Sequence, residues 1–194
     1  MGSPPAVIPQ FHPGLFGANS DASASATAEN KGWGFCAFGR LCAGHWSQET
    51  RAALEAGQLS INPLELLGSV FLFDFLGRSG LLPRRPGRVI LRNDNISACD
   101  TVNRGGSYSA PMRVALRKMR EVCTRWGHDV WLVHVEGEKN QIADRLSRGD
   151  YESASRFAQK AGYTSFSRVP VPPEAREWEL QLVAAATNVR KRVN

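Results

Sequence analysis

The sequence predicts an α/β domain, a mixed five-stranded sheet flanked by helices with a helical C-terminal extension, and three observations carry that expectation. Val89-Ile90-Leu91 is a short apolar run that follows the turn Arg84-Arg85-Pro86-Gly87 and stops at Asn93-Asp94-Asn95, the pattern of a buried strand. Val130 to Val135 is a second such run. Segments of helical period lie between and after these strands, behind an initial group of three strands. A carboxylate at the carboxyl end of a buried strand is where open α/β sheets place their chemistry, and Asp94 has that position.

Taken in order, residues 1–14 carry Pro4, Pro5, Pro9 and Pro13, which is linker composition, and Met1-Gly2-Ser3 reads as an expression remnant. Leu15 to Ser20 is a strand candidate leading into Asp21. The small polar run from Ala22 to Gly32 reads as a loop. Trp33 to Phe38 and Leu41 to Trp46 flank Gly39-Arg40 as a hairpin of aromatic and small residues. Asn62 as N-cap and Pro63 at the first helical position start a helix, and Val70, Phe71, Phe73, Phe75 and Leu76 make it apolar nearly all round. After the strand 88–94 comes a short helix from Ile96 to Val102, ended by Gly105-Gly106. Ser109 to Trp126 is amphipathic, with Met112, Leu116, Met119 and Cys123 on one face. Asn140 caps a helix that carries Asp144, and a further helix covers Tyr151 to Ala161. Pro170, Pro172 and Pro173 then break the chain before a last helical segment, Glu174 to Val189. Residues 15–161 are therefore expected to form the domain, and 162–194 a linker and helix appended to it.

Composition narrows the function classes. With 42% hydrophobic and 22% charged residues among 194, the chain has the make-up of a soluble folded domain. Lys+Arg exceed Asp+Glu by 24 to 18, a formal +6, which favours a polyanionic partner. The basic residues cluster at Arg84-Arg85-Arg88, at Arg113, Arg117, Lys118 and Arg120, and at Arg190-Lys191-Arg192. Cys36, Cys42, Cys99 and Cys123 lack the close paired spacing of thiolate zinc sites and read as reduced thiols of an intracellular protein. Leu64 to Leu76 is too short for a membrane span and is interrupted by Glu65 and Asp74.

Asp21, Glu65 and Asp144 can each be argued onto the same spot as Asp94. Each also has a plain structural role. Glu65 stands three residues after Asn62, as in a capping box. Asp144 sits in the first turn of a helix, where the macrodipole favours it. Asp21 and Asp94 are placed to end strands through Asx-turns. Four acids brought together would repel one another and raise their own pKa values, so their convergence implies cations. Two divalent ions about 3.5–4 Å apart can activate water and stabilise a leaving oxygen without a protein nucleophile.

The residues resemble a known family, the ribonuclease H domains of retroelement reverse transcriptases, most closely those of DIRS-type retrotransposons. The resemblance rests on Asp21-Ala22-Ser23 with Gly32-Trp33-Gly34, on Gly44-His45-Trp46-Ser47, and on Ile61-Asn62-Pro63-Leu64-Glu65-Leu66. Asp94-Asn95 with Asn103-Arg104-Gly105-Gly106, and Asn140-Gln141-Ile142-Ala143-Asp144-Arg145-Leu146-Ser147-Arg148, complete it. It covers about residues 15 to 150. It implies a ribonuclease H-like fold, hydrolysis of the RNA strand of RNA–DNA hybrids, and Asp21, Glu65, Asp94 and Asp144 as ligands of two Mg2+ ions, with Mn2+ able to substitute. It also implies a covalently attached reverse transcriptase in a longer polyprotein. Cellular members carry a mobile histidine in the loop before the last aspartate; here Gly137-Glu138-Lys139 has none, His134 lies on the strand and reads as a packed histidine, and Glu138 is the residue that could serve instead.

For substrate, Asn62 and Asn95 are assigned to the 2′-hydroxyl side of the hybrid, and Arg113, Arg117, Lys118 and Arg120 to its phosphates. Two rivals share the fold. One is a catalytically retired binding or scaffold module, which a complete acid set argues against. The other is a DNA strand-transfer or resolving nuclease, whose late glutamate is replaced here by Asp144 with Glu65 on the first long helix.

Overall fold

Six strands form one mixed sheet in the computed structural model, which describes residues 18–23 and 31–190. The first three are β1 (Asn19–Ala22), β2 (Gly32–Ala37) and β3 (Arg40–His45), paired antiparallel. Phe38 and Gly39 both take positive φ, 50° and 73°, which suits the twist of a two-residue hairpin turn, so the turn lies one residue earlier than Gly39-Arg40. Then come α1 (Gln48–Glu55), α2 (Asn62–Arg78), β4 (Arg88–Asn93), α3 (Ile96–Arg104), α4 (Ala110–Trp126) and β5 (Asp129–His134). A 3-10 turn at Gly137–Lys139 leads to α5 (Gln141–Ser147) and α6 (Tyr151–Lys160). The last elements are β6 (Ser167–Arg168) and α7 (Ala175–Arg190). Among the described residues no helix is long and apolar enough to cross a membrane.

The strand order is β5-β4-β1-β2-β3-β6, with β4 parallel to both β1 and β5. Side chains alternate across a strand, and their partners identify the two faces. Ser20 and Asn93 reach Ser69 on α2, whereas Asn19 and Asp21 reach Asn140 and Ser147 beside and on α5. The main core lies on the α2 side, where Leu64, Leu66, Leu67, Val70 and Phe71 pack with Trp33 and Phe35. The all-round apolarity of α2 is thus explained by burial on nearly every side. The outer edge of β5 is covered in part by Asn103, whose amide nitrogen donates to the Leu132 carbonyl at 2.8 Å and whose oxygen accepts from the Leu132 N–H at 3.0 Å.

Several expectations are corrected. The sheet has six strands, because Ser167–Arg168 adds to the β3 edge, a two-residue pairing too short to leave a period in sequence. Strand β1 spans Asn19–Ala22 and contains Asp21, while Leu15, Phe16 and Gly17 lie outside the described residues. Helix α1 had no expectation; it is mostly polar and is started by Ser47, whose hydroxyl accepts from the Thr50 N–H. Asn62 is the first helical residue and not the cap, since Ile61 occupies that place and makes no side-chain cap bond.

The segment expected to be an appendage belongs to the core as far as residue 188. Trp178 stacks on Phe71 with centroids 5.9 Å apart, and Leu182 and Ala186 are buried with it. Buried Glu179 accepts from the Ser47 N–H at 2.9 Å and the Thr50 hydroxyl at 3.1 Å, so α7 helps cap α1. Asp74, fully buried on α2, accepts from Arg78, Arg125 and the Trp126 indole, and both arginines also reach Glu174 at the start of α7. The prolines bend the chain back onto the domain and do not detach it. Residues 1–17, 24–30 and 191–194 lie outside the described residues, and with them the expected linker, most of the expected loop from Ala22 to Gly32, and Lys191 and Arg192 of the basic end. Trp178→Ala should therefore cost about 3–5 kcal/mol in urea unfolding, the range for removing a large buried aromatic. A loss under about 1 kcal/mol would return α7 to the periphery.

Candidate functional site

Register brings the first two acids together. Strands β1 and β4 run parallel with Ser20 opposite Asn93, so the next residues, Asp21 and Asp94, arrive level at the carboxyl ends of adjacent strands. Helix α2 passes behind them and presents Glu65, whose Oε2 accepts the Ala22 N–H at 3.0 Å. One carboxylate oxygen from each of Asp21, Glu65 and Asp94 lies within 4.8 Å of the others. These three form a group that can hold a metal ion.

Asp144 is not within that group. It lies on α5, where Arg148 one turn later donates to its Oδ1 from Nε at 2.9 Å and Nη2 at 2.8 Å. Its charge still raises the Asp21 carboxyl, and Ser147 links the two, its hydroxyl donating to Asp21 Oδ2 and to the Asp144 carbonyl. Helix α5 can come so near because Gly34, directly opposite Asp21 on β2, has no side chain. A Cβ there would stand 2.4 Å from the Leu146 Cβ and 2.6 Å from the Ser147 nitrogen. That approach brings the Ser147 hydroxyl to 2.6 Å from Asp21 Oδ2, to which it donates.

The plain roles considered for Glu65 and Asp94 do not describe them, whereas Asp144 does stand in the first turn of α5. Glu65 bonds to β1 and not to the start of its own helix. The Asx-turn after β4 is made by Asn93, whose oxygen accepts from the Asn95 N–H at 2.8 Å, leaving the Asp94 side chain free of that duty. Asp94 Oδ1 is buried with no hydrogen-bond partner among the described residues. A buried carboxylate oxygen without a donor is costly unless a cation completes it.

Electrostatics agree. Burial, then the neighbouring Asp94 charge, push the Asp21 carboxyl up to about 8, against the lowering effect of the Ser147 hydroxyl. Glu65 is pushed well above the usual carboxylate range, first by burial and then by Asp21 and Asp94, with the Ala22 N–H opposing. Below the acids, Asn93 donates towards Ser20, Ser69 and the Glu65 carbonyl, a buried polar net that joins β1, α2 and β4. Asn140 likewise donates to the Ser20 carbonyl at 3.0 Å and accepts from Asn19, so its side chain ties α5 to β1 and does not cap the helix. Neither Ser147 nor Asn93 was singled out as a site residue. Their signal was adjacency, three residues after Asp144 and one before Asp94.

The other assigned residues divide. Asn62 Oδ1 accepts from Asn95 Nδ2 at 2.9 Å, so the two amides do meet at the mouth of α2 and α3, and Asn95 also caps α3 through the Ala98 N–H. Arg113, Arg117 and Arg120 are exposed on α4. Lys118 is corrected: it is buried and paired with Glu121 at 2.9 Å, so it cannot grip phosphate as it stands. His134 is exposed, with Nε2 3.1 Å from the Asp94 carbonyl. Exposed Glu138 follows Gly137, whose added Cβ would stand 3.8 Å from Asp94 Oδ2. All four cysteines are free thiols, and burial raises each well above its ordinary pKa, so none is a ready nucleophile.

A raised carboxyl keeps in the folded chain a proton that the unfolded chain has already released. Its stability contribution is therefore lost as pH rises from the ordinary Asp value of 3.8 to about 8. In EDTA, Tm should fall from about pH 5 to about pH 8, less steeply in Asp21→Asn, and a divalent cation should restore it at the upper end. Glu65→Gln, which keeps an acceptor for Ala22, should melt no lower than wild type in EDTA at about pH 8. A flat wild-type profile would contradict the crowding of these acids.

Set beside known proteins, the sequence matches no family model and no curated protein, so the chemistry of the site is read from its own residues.

Proposed function

We propose that this chain is a ribonuclease H-like nuclease that hydrolyses the RNA strand of RNA–DNA hybrids with divalent cations, as one domain of a retroelement reverse transcriptase. The observation that carries the reading is the meeting of Asp21, Glu65 and Asp94 at the ends of parallel β1 and β4, with Asp144 alongside. Three antiparallel strands followed by two parallel ones, with α5 packed over Gly34, suit that fold.

The donor set fits Mg2+ or Mn2+: hard carboxylate oxygens, one of them unpartnered, at a carboxyl edge of a sheet. Divalent cations, if held there by Asp21, Glu65 and Asp94, would supply a nucleophilic water and a counter-charge for the leaving oxygen of a phosphodiester. The chain's own part is to hold the acids in place. Ser147 fixes one oxygen of Asp21, the Ala22 N–H fixes one of Glu65, and Arg148 holds the Asp144 carboxylate near the group. Asn95 steadies Asn62, whose Nδ2 is then available to a 2′-hydroxyl of the RNA strand, the group that distinguishes RNA from DNA. Arg113, Arg117 and Arg120 add phosphate contacts without sequence preference.

A labelled RNA–DNA hybrid, incubated beside duplex DNA and duplex RNA with Mg2+ and with EDTA, tests the reading. The hybrid's RNA strand alone should be cut, only with metal, and Asp94→Asn should lower the rate by at least about 100-fold while melting as a folded protein, since an amide cannot supply the charge. Cutting of duplex DNA in place of the hybrid would assign a strand-transfer or resolving nuclease. Undiminished turnover by Asp94→Asn would remove the site assignment altogether.

A further inference from the structure

Helix α5 packs over β1, β2 and β3, and beyond it, among the described residues, the same face of β4 and β5 is left open. By alternation this face carries Arg88, Ile90 and Arg92 from β4, paired in register with Asp129, Trp131 and Val133 from β5. Ile90 is 45% exposed, Trp131 38% and Val133 39%, an apolar strip on an otherwise well-filled domain. The Arg88 guanidinium lies over the Trp131 ring, 5.1 Å from its centroid. Arg88 and Trp131 also line a cleft of about 440 Å3 at the β5 edge, to which α4 contributes Leu116 and Arg120.

Part of the chain's cationic charge is compensated. Arg104, Arg117, Lys118, Lys139, Arg148, Arg156 and Arg176 all stand in ion pairs. Among the described residues Arg88 and Arg92 on this face, and Arg84 and Arg85 in the turn before β4, make none, although Asp129 lies on the same face as Arg88. The functional site has no use for this cluster either. Uncompensated arginines beside an exposed indole match the chemistry of an unpaired nucleic-acid strand, which offers phosphates to the cations and base faces to the ring. A duplex keeps its bases stacked inside and would leave the indole without a partner. A second copy laid face to face would set these arginines against one another.

We propose that the open face of β4 and β5, extended by Arg84 and Arg85, binds a single-stranded segment of nucleic acid. Both strands run towards Asp94, so this track ends at His134 beside the acid group. A strand lying on it continues from the substrate held at the site as an unpaired overhang. From the proposed function the inference takes only that the substrate is nucleic acid.

The test is fluorescence anisotropy of a labelled oligothymidylate with the whole chain in EDTA, where nothing can be cut. Wild type should bind, and Trp131→Ala should weaken binding at least about fivefold, as loss of one stacked base predicts. The double variant Arg88→Gln/Arg92→Gln should lower the slope of log affinity against log salt by about 1.4, two phosphate contacts at about 0.7 each. Cleavage of a blunt hybrid should be unchanged in both. Equal affinity and slope in wild type and variants overturn the proposal. So does a wild-type dimer that Trp131→Ala converts to monomer, which gives the face to a second copy. Failure of hybrid cleavage with oligonucleotide binding still dependent on Trp131 removes the nuclease reading and leaves this one standing.

Discussion

Everything at the site follows from carboxylates forced together against their mutual repulsion. Asp21, Glu65 and Asp94 are close enough that burial and neighbouring charge raise the first two, and no lysine or arginine side chain bonds to any of the three among the described residues. Such an arrangement cannot hold itself. It persists because elements on both faces of the sheet are locked around it: the Ser20, Ser69 and Asn93 net on one face, and Asn140, Ser147 and the bare backbone of Gly34 on the other. The fold is the source of the strain, and a bound cation is its natural relief.

The same view orders the roles of the four acids. Ser147 holds Asp21 and the Ala22 N–H holds Glu65, Asp94 keeps a buried oxygen without a partner among the described residues, and Asp144 has its own counter-ion in Arg148. An aspartate so paired is close at hand without adding its full charge to the group. Its position depends on α5, and α5 depends on Gly34, so a methyl group on that glycine would reach the site without touching a carboxylate.

Much of this was legible in the chain. The strands at 88–93 and 129–134 read as apolar runs, strand ends and helix starts made Asp21, Glu65, Asp94 and Asp144 candidates, and the family resemblance joined them into a set, of which the structure groups the first three. What escaped did so for physical reasons. A two-residue β6 has no period to detect. The proline-rich approach to α7 reads as a break, because prolines mark where a chain bends but not whether it returns, and only the burial of Trp178, Glu179 and Leu182 reveals that it does. Lys118 reads as part of a basic face until its packing and its pairing with Glu121 are seen. Asn62 looked like a cap because Asn-Pro before an apolar run usually is one; here its oxygen accepts from Asn95, which does cap the next helix.

The central claim is that these acids are a metal site, and it is tested most directly by diffraction from crystals soaked in Mn2+, with data collected for anomalous signal. The account predicts a peak enclosed by Asp21, Glu65 and Asp94, lost in Asp94→Asn crystals. A wild-type map with no peak there, or with its only peak elsewhere, would contradict it.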